Sequence, residues 1–191
     1  MSPTTLLIIL LALSSLGYYI GRRRAFAVAG DAASVKTLHS RPTYYGALTA
    51  LWCGIPALLL FGFWLAFEST IITTLVVADL PEEIRALPEA RLNLVVNDIK
   101  NLVSGNIVSG EIDPVMQAAA DRYRSLQSIS KAALAVIAIC FAILGIIIVR
   151  AKISKSLRAR NAVEQVIKYI LITCSTIAIF TTIGIVLSVL Y

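Results

Sequence analysis

Arg150–Lys168, RAKISKSLRARNAVEQVIK, followed by Tyr169–Tyr191, YILITCSTIAIFTTIGIVLSVLY, is the stretch on which the fold turns. The first part is a basic ribbon. The second holds no charged side chain, and as a helix at about 1.5 Å per residue it is long enough to cross a hydrocarbon core of about 30 Å. It stops at Tyr191 without the polar residues that ordinarily close a final span. The chain is therefore expected either to be compact at its C-terminus or to be a piece of something longer. Thr173, Ser175, Thr176, Thr181, Thr182, Gly184 and Ser188 make this the most polar of the apolar runs. Hydroxyls in an apolar helix satisfy themselves on backbone carbonyls one turn back and accompany close helix packing. A polar pathway is the competing role, but an ion or proton route is marked by intramembrane charge, and this run has none. Helix packing is the expected role.

The bulk composition agrees with a bilayer as solvent. Of 191 residues, 58% are hydrophobic and 15% charged, and the mean hydropathy is +0.84; a soluble domain carries about a quarter charged residues. The position of the charges matters more than the net +6. Five of the 17 Lys and Arg lie in 21–43, six in 68–131 and six in 150–168, while the 11 Asp and Glu divide as one, nine and one. Segment charges of +4, −3 and +5 follow, the alternation expected of a multispanning protein whose basic loops stay inside. A nucleic-acid surface would need stacking or base-contacting groups beside its cations, and the basic segments show none. Cys53, Cys140 and Cys174 sit inside apolar runs with neither metal-ligand nor disulfide spacing; small apolar residues in packed helices is their expected role.

Outward from the basic ribbon, 132–149 is an aliphatic third span. Asp113-Pro114 reads as an N-cap followed by proline at the first helical position. No helix breaker follows before Arg150, so one helix of about 36 residues, ~54 Å, is expected to run into that span. Leu92, Val95, Val96, Ile99, Leu102 and Val103 fall on one face of an amphipathic helix, opposite Asn93, Asn97, Asp98, Lys100 and Asn101; Gly105 and Gly110 break the pattern. The segment 68–131 is too polar to span and is expected outside. Upstream, 44–67 is the second span, with Gly46, Ala50 and Gly54 as a small-residue face and Pro56 as an expected kink. Trp52 and Trp64 are expected to face lipid or the interface. The first run, 4–20, lacks charge before it and is followed by Gly21-Arg22-Arg23-Arg24, the reverse of a signal peptide, so it is expected to be an uncleaved span with its N-terminus outside. Residues 21–43, with Gly30-Asp31 and Ser40-Arg41-Pro42, are a turn-rich inner connection. The fold class is an all-α membrane protein with four transmembrane helices and an external helical segment between the second and third.

No site residue emerges from the polar segments. His39 is the one histidine and has no nucleophile or orienting carboxylate beside it, so an interfacial role is expected. Glu82, Glu83, Glu89, Glu111, Asp113 and Asp121 match no calcium-loop spacing and read as a solvated acidic face. Gly105–Gly110 lacks the basic help a phosphate nest would want. Catalytic, metal and cofactor-binding residues are all expected to be absent.

Two tracts carry a family likeness: Leu38–Leu60, LHSRPTYYGALTALWCGIPALLL, and Arg158–Tyr191, RARNAVEQVIKYILITCSTIAIFTTIGIVLSVLY. Both resemble the PstC family of phosphate ABC transporter permease subunits, in the long form that carries extra N-terminal transmembrane spans. Arg158, Arg160, Asn161, Glu164, Thr182, Gly184 and Ile185 are similar to the start of that family's first core helix. The resemblance implies the N-terminal portion of a permease subunit in an ATP-driven inorganic phosphate importer of the cell inner membrane. Its implied partners are a second permease subunit, a cytoplasmic ATPase dimer and a periplasmic phosphate-binding protein. Hydrolysis would belong to the ATPase, in keeping with the lack of a P-loop here. It also implies a division into an N-terminal membrane region, 1–149, and a region 150–191 comprising the cytoplasmic basic linker and the first helix of a truncated permease core. The family's coupling motif, of the EAA…G kind, lies beyond Tyr191, so no translocation or coupling residue transfers onto these positions. The alternative reading is a membrane sensor or signalling input module with an external helical domain; a third is a self-contained four-helix scaffold.

Overall fold

The computed structural model describes residues 2–30, 38–105 and 113–190. Six helices occupy them: α1 (Pro3–Ala29), α2 (Pro42–Ala78), α3 (Glu82–Arg85), α4 (Glu89–Ser104), α5 (Pro114–Lys152) and α6 (Ala159–Leu190). No strand occurs among the described residues, and α1, α2, α5 and α6 are each long and apolar enough to cross a membrane. The chain is an all-α, multi-pass membrane protein.

The long helices overrun the membrane-length runs that hydropathy marks. The connection expected at 21–43 is helical through Ala29, because Arg22–Arg24 and the alanines after them favour helix, and Ala25 and Ala29 bury in a packed cluster. Gly30, at φ 94, ends α1 in the left-handed region. Asp31 lies outside the described residues, as do Gly110, Glu111 and Tyr191. Helix α2 continues through Pro56 and past Glu68 to Ala78. Helix α5 runs from Pro114 to Lys152, 39 residues or about 58 Å, as the unbroken 114–150 pattern requires. Stretches without charge remain on each: 3–21, 42–67, 132–149 and 169–190. At about 1.5 Å per residue these stretches measure roughly 27–39 Å, so the longer ones fit a hydrocarbon core of ~30 Å by tilting and the shorter ones by slight thinning of the bilayer or snorkelling of flanking residues.

Two compact units divide the contacts. The first takes residues 2–8, 57–105 and 113–140 of those described. Here α2 and α5 run antiparallel, Trp64 opposite Ser130 and Asp79 opposite Arg122. Helix α4 lies on them: Ile99 is 2% exposed in a cluster with Ile72, Val76, Leu80, Ala119, Ala120 and Tyr123, and Val95, Leu102 and Val103 pack against its edge. This is the amphipathic face expected of 92–103. Gly105, at φ 75, caps α4 with its N–H bonding back to the Asn101 carbonyl, and the Arg124 guanidinium donates to the Leu102 carbonyl at 2.6 Å. A cation at a helix C-terminus also complements the helix dipole.

The second unit takes 9–30, 38–56 and 141–190 of those described. Its helices touch through small residues. A Cβ on Gly21 would collide with the Thr49 side chain and the Tyr45 carbonyl, and one on Gly145 with the Trp52 carbonyl. On Gly54 it would stand 2.7 Å from the Ser14 hydroxyl, and on Gly46 2.8 Å from the Tyr18 carbonyl. Gly46 and Gly54 thus belong to the close-approach face read from the sequence. Ala50, the third member expected, is only half-buried; Thr49 and Cys53, both fully buried, hold the face instead. Lacking a hydrophobic drive between helices in lipid, such backbone proximity supplies the van der Waals contact that does the packing.

Candidate functional site

Basic groups and buried contacts meet at one place in the second unit, the turn between α5 and α6. Lysine and arginine cannot be buried cheaply, so a basic turn must fix its backbone by other means. Tyr45, fully buried, shares its hydroxyl proton between the Ser154 carbonyl at 3.3 Å and the Leu157 carbonyl at 3.0 Å. The His39 backbone N–H donates to the Lys155 carbonyl at 3.1 Å. The Arg160 backbone N–H donates to the Ser40 hydroxyl at 3.2 Å. Four carbonyl or amide groups of 154–160 are thereby held by residues 39–45 across the fold. Beneath them, Val149, Ile153, Ala159 and Val163 form one cluster with Ala25, Ala29, Leu38, Tyr45 and Leu48. Side chains of Arg41, Lys155 and Arg158 stay exposed.

The clamp ends abruptly along α6. Ala159 and Val163 are its buried residues, and every described residue from Ile167 to Leu190 is exposed. Thr173, Thr176, Thr181 and Thr182 each donate to the carbonyl four residues back, at 2.8–2.9 Å, so the hydroxyls satisfy themselves as expected. The accompanying expectation, packing against neighbours, is not met inside this chain: a Cβ at Gly184 would touch nothing within 4 Å. Among the described residues, α6 is anchored at its base and free along its shaft.

The residues weighed from the sequence scatter. His39 contributes its backbone N–H to the clamp, and its side chain is exposed. Glu82 pairs with Arg85 at 3.5 Å and Asp121 with Arg124 at 3.0 Å, both on exposed helix surface; Glu83, Glu89 and Asp113 are exposed. Among the described residues no three His, Cys, Asp or Glu side chains converge as a metal site would require. Cys53 is buried in helix packing as expected, but Cys140 and Cys174 are exposed, which corrects their reading as residues of packed helix faces. Trp52 faces outward at 51% exposure. Trp64 does more than pack: its indole N–H donates to Ser130 at 2.9 Å, and Ser130 donates on to Glu68 at 3.2 Å. A groove of about 500 Å³ lies in the first unit between Val76, Leu80, Pro81, Pro114, Val115 and Ala119, with Asp79 and Arg122 also lining it. That pair, 3.1 Å apart, is more than half exposed on both sides.

Tyr45 and Ser130 are not singled out by sequence reasoning, and Ser40 is read only as part of a turn. Tyr45 stands beside Tyr44 at the start of a span, where an interfacial aromatic is ordinary; its partners are more than a hundred residues away.

No curated protein and no solved structure matches the chain. The family described as the phosphate ATP-binding cassette transporter matches residues 7–181, from within α1 to within α6. The chain belongs to that phosphate ATP-binding cassette transporter family.

Proposed function

We propose that this chain is the N-terminal portion of a PstC-type permease subunit in an ATP-driven importer of inorganic phosphate. The family match over 7–181 is the observation that carries the reading. In this account 1–149 is a membrane prelude and 150–191 is the cytoplasmic basic linker with the first helix of the permease core. The N-terminus lies on the periplasmic side of the inner membrane, the connections 21–43 and 150–165 face the cytoplasm, and 68–131 faces the periplasm, following the charge alternation along the chain.

The clamp gives this division a physical sense. It sets where α6 starts and leaves α6's shaft open for further core helices to pack. The protein's own part is structural and permeative; nucleotide hydrolysis belongs to a separate ATPase dimer, and phosphate is delivered by a periplasmic binding protein. A second permease subunit completes the pore.

Energy coupling separates this reading from other phosphate carriers. In cells whose phosphate uptake depends on the gene, uptake should fall when ATP synthesis is blocked with the proton gradient preserved. It should persist when the gradient is collapsed with ATP maintained. Uptake that follows the gradient and ignores ATP would overturn the proposal.

A further inference from the structure

The turn before α6 has a surface chemistry that phosphate transport does not account for. In the second unit the one described carboxylate is Glu164, and it is already held by Arg160 at 2.6 Å. Around the same buried cluster stand Arg22–Arg24 near the end of α1, Arg41 immediately before α2, and Lys155 and Arg158 in the turn, all exposed. Among the described residues none of these six side chains meets a carboxylate. Two are steered by rings: the Arg22 guanidinium lies 5.8 Å from the Phe26 centroid, and that of Arg23 lies 5.0 Å from Tyr19. Cation–π contact of this kind orients an arginine without neutralising it.

The clamp adds what a solvated charge run lacks, namely a fixed backbone. His39, Ser40 and Tyr45 pin 154–160 by four hydrogen bonds, so Arg41, Lys155 and Arg158 are presented from positions that do not wander. These positions also fix the depth. Arg41 precedes the uncharged stretch of α2, and the turn follows the short basic end of α5, Arg150–Lys152, beyond the uncharged stretch that closes at Val149. Arg41 borders its uncharged stretch, and Lys155 and Arg158 stand six and nine residues beyond Val149, within reach of the phosphate headgroups that flank the hydrocarbon core. A free anion would need an enclosed, desolvated cradle, whereas exposed cations at this depth suit a ligand that is itself concentrated in the headgroup plane.

We propose that the α5–α6 turn binds the phosphodiester headgroup of an anionic phospholipid, with Arg41, Lys155 and Arg158 as its principal cations. The lipid fills the concentration of positive charge at the base of α6 and ties that base to the leaflet. This does not rest on the identity of the transported substrate.

The test uses the full chain in neutral detergent, titrated with phosphatidylglycerol, phosphatidylcholine or inorganic phosphate and read by native mass spectrometry. Phosphatidylglycerol should remain bound at a concentration roughly tenfold below that needed for phosphatidylcholine. Combining Arg41→Gln, Lys155→Gln and Arg158→Gln should weaken phosphatidylglycerol roughly tenfold to a hundredfold, since each basic group near such a surface contributes measurably. Combining Arg85→Gln, Arg91→Gln and Lys100→Gln in the first unit should change nothing. Equal retention of the two lipids by the unaltered protein, which needs no variant to fold, would overturn the proposal. So would a triple variant that keeps full phosphatidylglycerol affinity. Displacement of phosphatidylglycerol by inorganic phosphate at equal concentration would assign the turn to free phosphate and overturn it as well.

Discussion

Both units hold a buried apolar cluster, but their long helices meet in different ways. In the first, α4 brings Ile99 onto Ile72, Val76 and Tyr123, a cluster of large side chains on helix segments that carry many charges and so meet water. There the hydrophobic effect operates, and burying a side chain of this size is worth about 1.5–3 kcal/mol. In the second, Gly21, Gly46 and Gly145 bring helices onto backbone carbonyls with no room for a methyl group, and Gly54 faces the Ser14 hydroxyl. Lipid is as apolar as leucine, so contact itself must hold these helices. The second unit's uncharged stretches meet by proximity, with a buried cluster at their basic end, whereas the first unit packs α4 by burial.

That contrast fixes the order of mutational effects. Gly145→Val should be the most damaging, because its Cβ meets the Trp52 backbone carbonyl, which no rotamer change can move. A loss of about 3 kcal/mol or more is expected, at the upper end of overpacking costs, read as unfolding in mixed micelles. Ile99→Ala comes next, at about 2–4 kcal/mol for a buried aliphatic truncated to a methyl. Its signature is local: amide exchange should quicken in α4 while the Gly145 region keeps its protection. If both substitutions gave the same exchange pattern, the two modes of packing would not be separate.

Tyr45→Phe is smaller, at about 0.5–1.5 kcal/mol, the range for losing one hydrogen bond, since the Ser154 and Leu157 carbonyls each keep a backbone N–H donor, from Leu157 and Ala159. Exchange should rise at 154–158 and along the first turn of α6. Gly184→Ala should be the mildest. Its neighbourhood is open, and alanine is the better helix former by up to about 1 kcal/mol, so stability of this chain should hold or rise slightly. Lost phosphate uptake with unchanged stability in that variant would mean that another helix packs on the α6 shaft in the assembled transporter.

Much of the fold is legible in the amino-acid sequence. Uncharged runs gave all four spans, the 3.6-residue repeat gave α4 and its inward residues, and Asp113-Pro114 with the absence of breakers gave the start and length of α5. Hydropathy marks where a helix leaves the membrane, however, and says nothing about where it ends. This is why α1 past Gly21 and α2 past Glu68 went unread. The clamp was invisible for a different reason. Tyr45 and Leu157 are separated by 112 positions, and no local pattern announces a hydrogen bond between them. The bareness of the α6 shaft was equally hidden, since a lipid-facing helix and a helix awaiting partners have the same composition.

The account turns on which ends of the long helices share a side of the membrane. In the proposed topology α2 crosses once, with Ser34 before it in the chain and Ser109 after it. Reporter fusions at those two positions, one active only in the cytoplasm and one only in the periplasm, test this directly. Cytoplasmic activity at Ser34 and periplasmic activity at Ser109 is the result expected; the same side for both would contradict it.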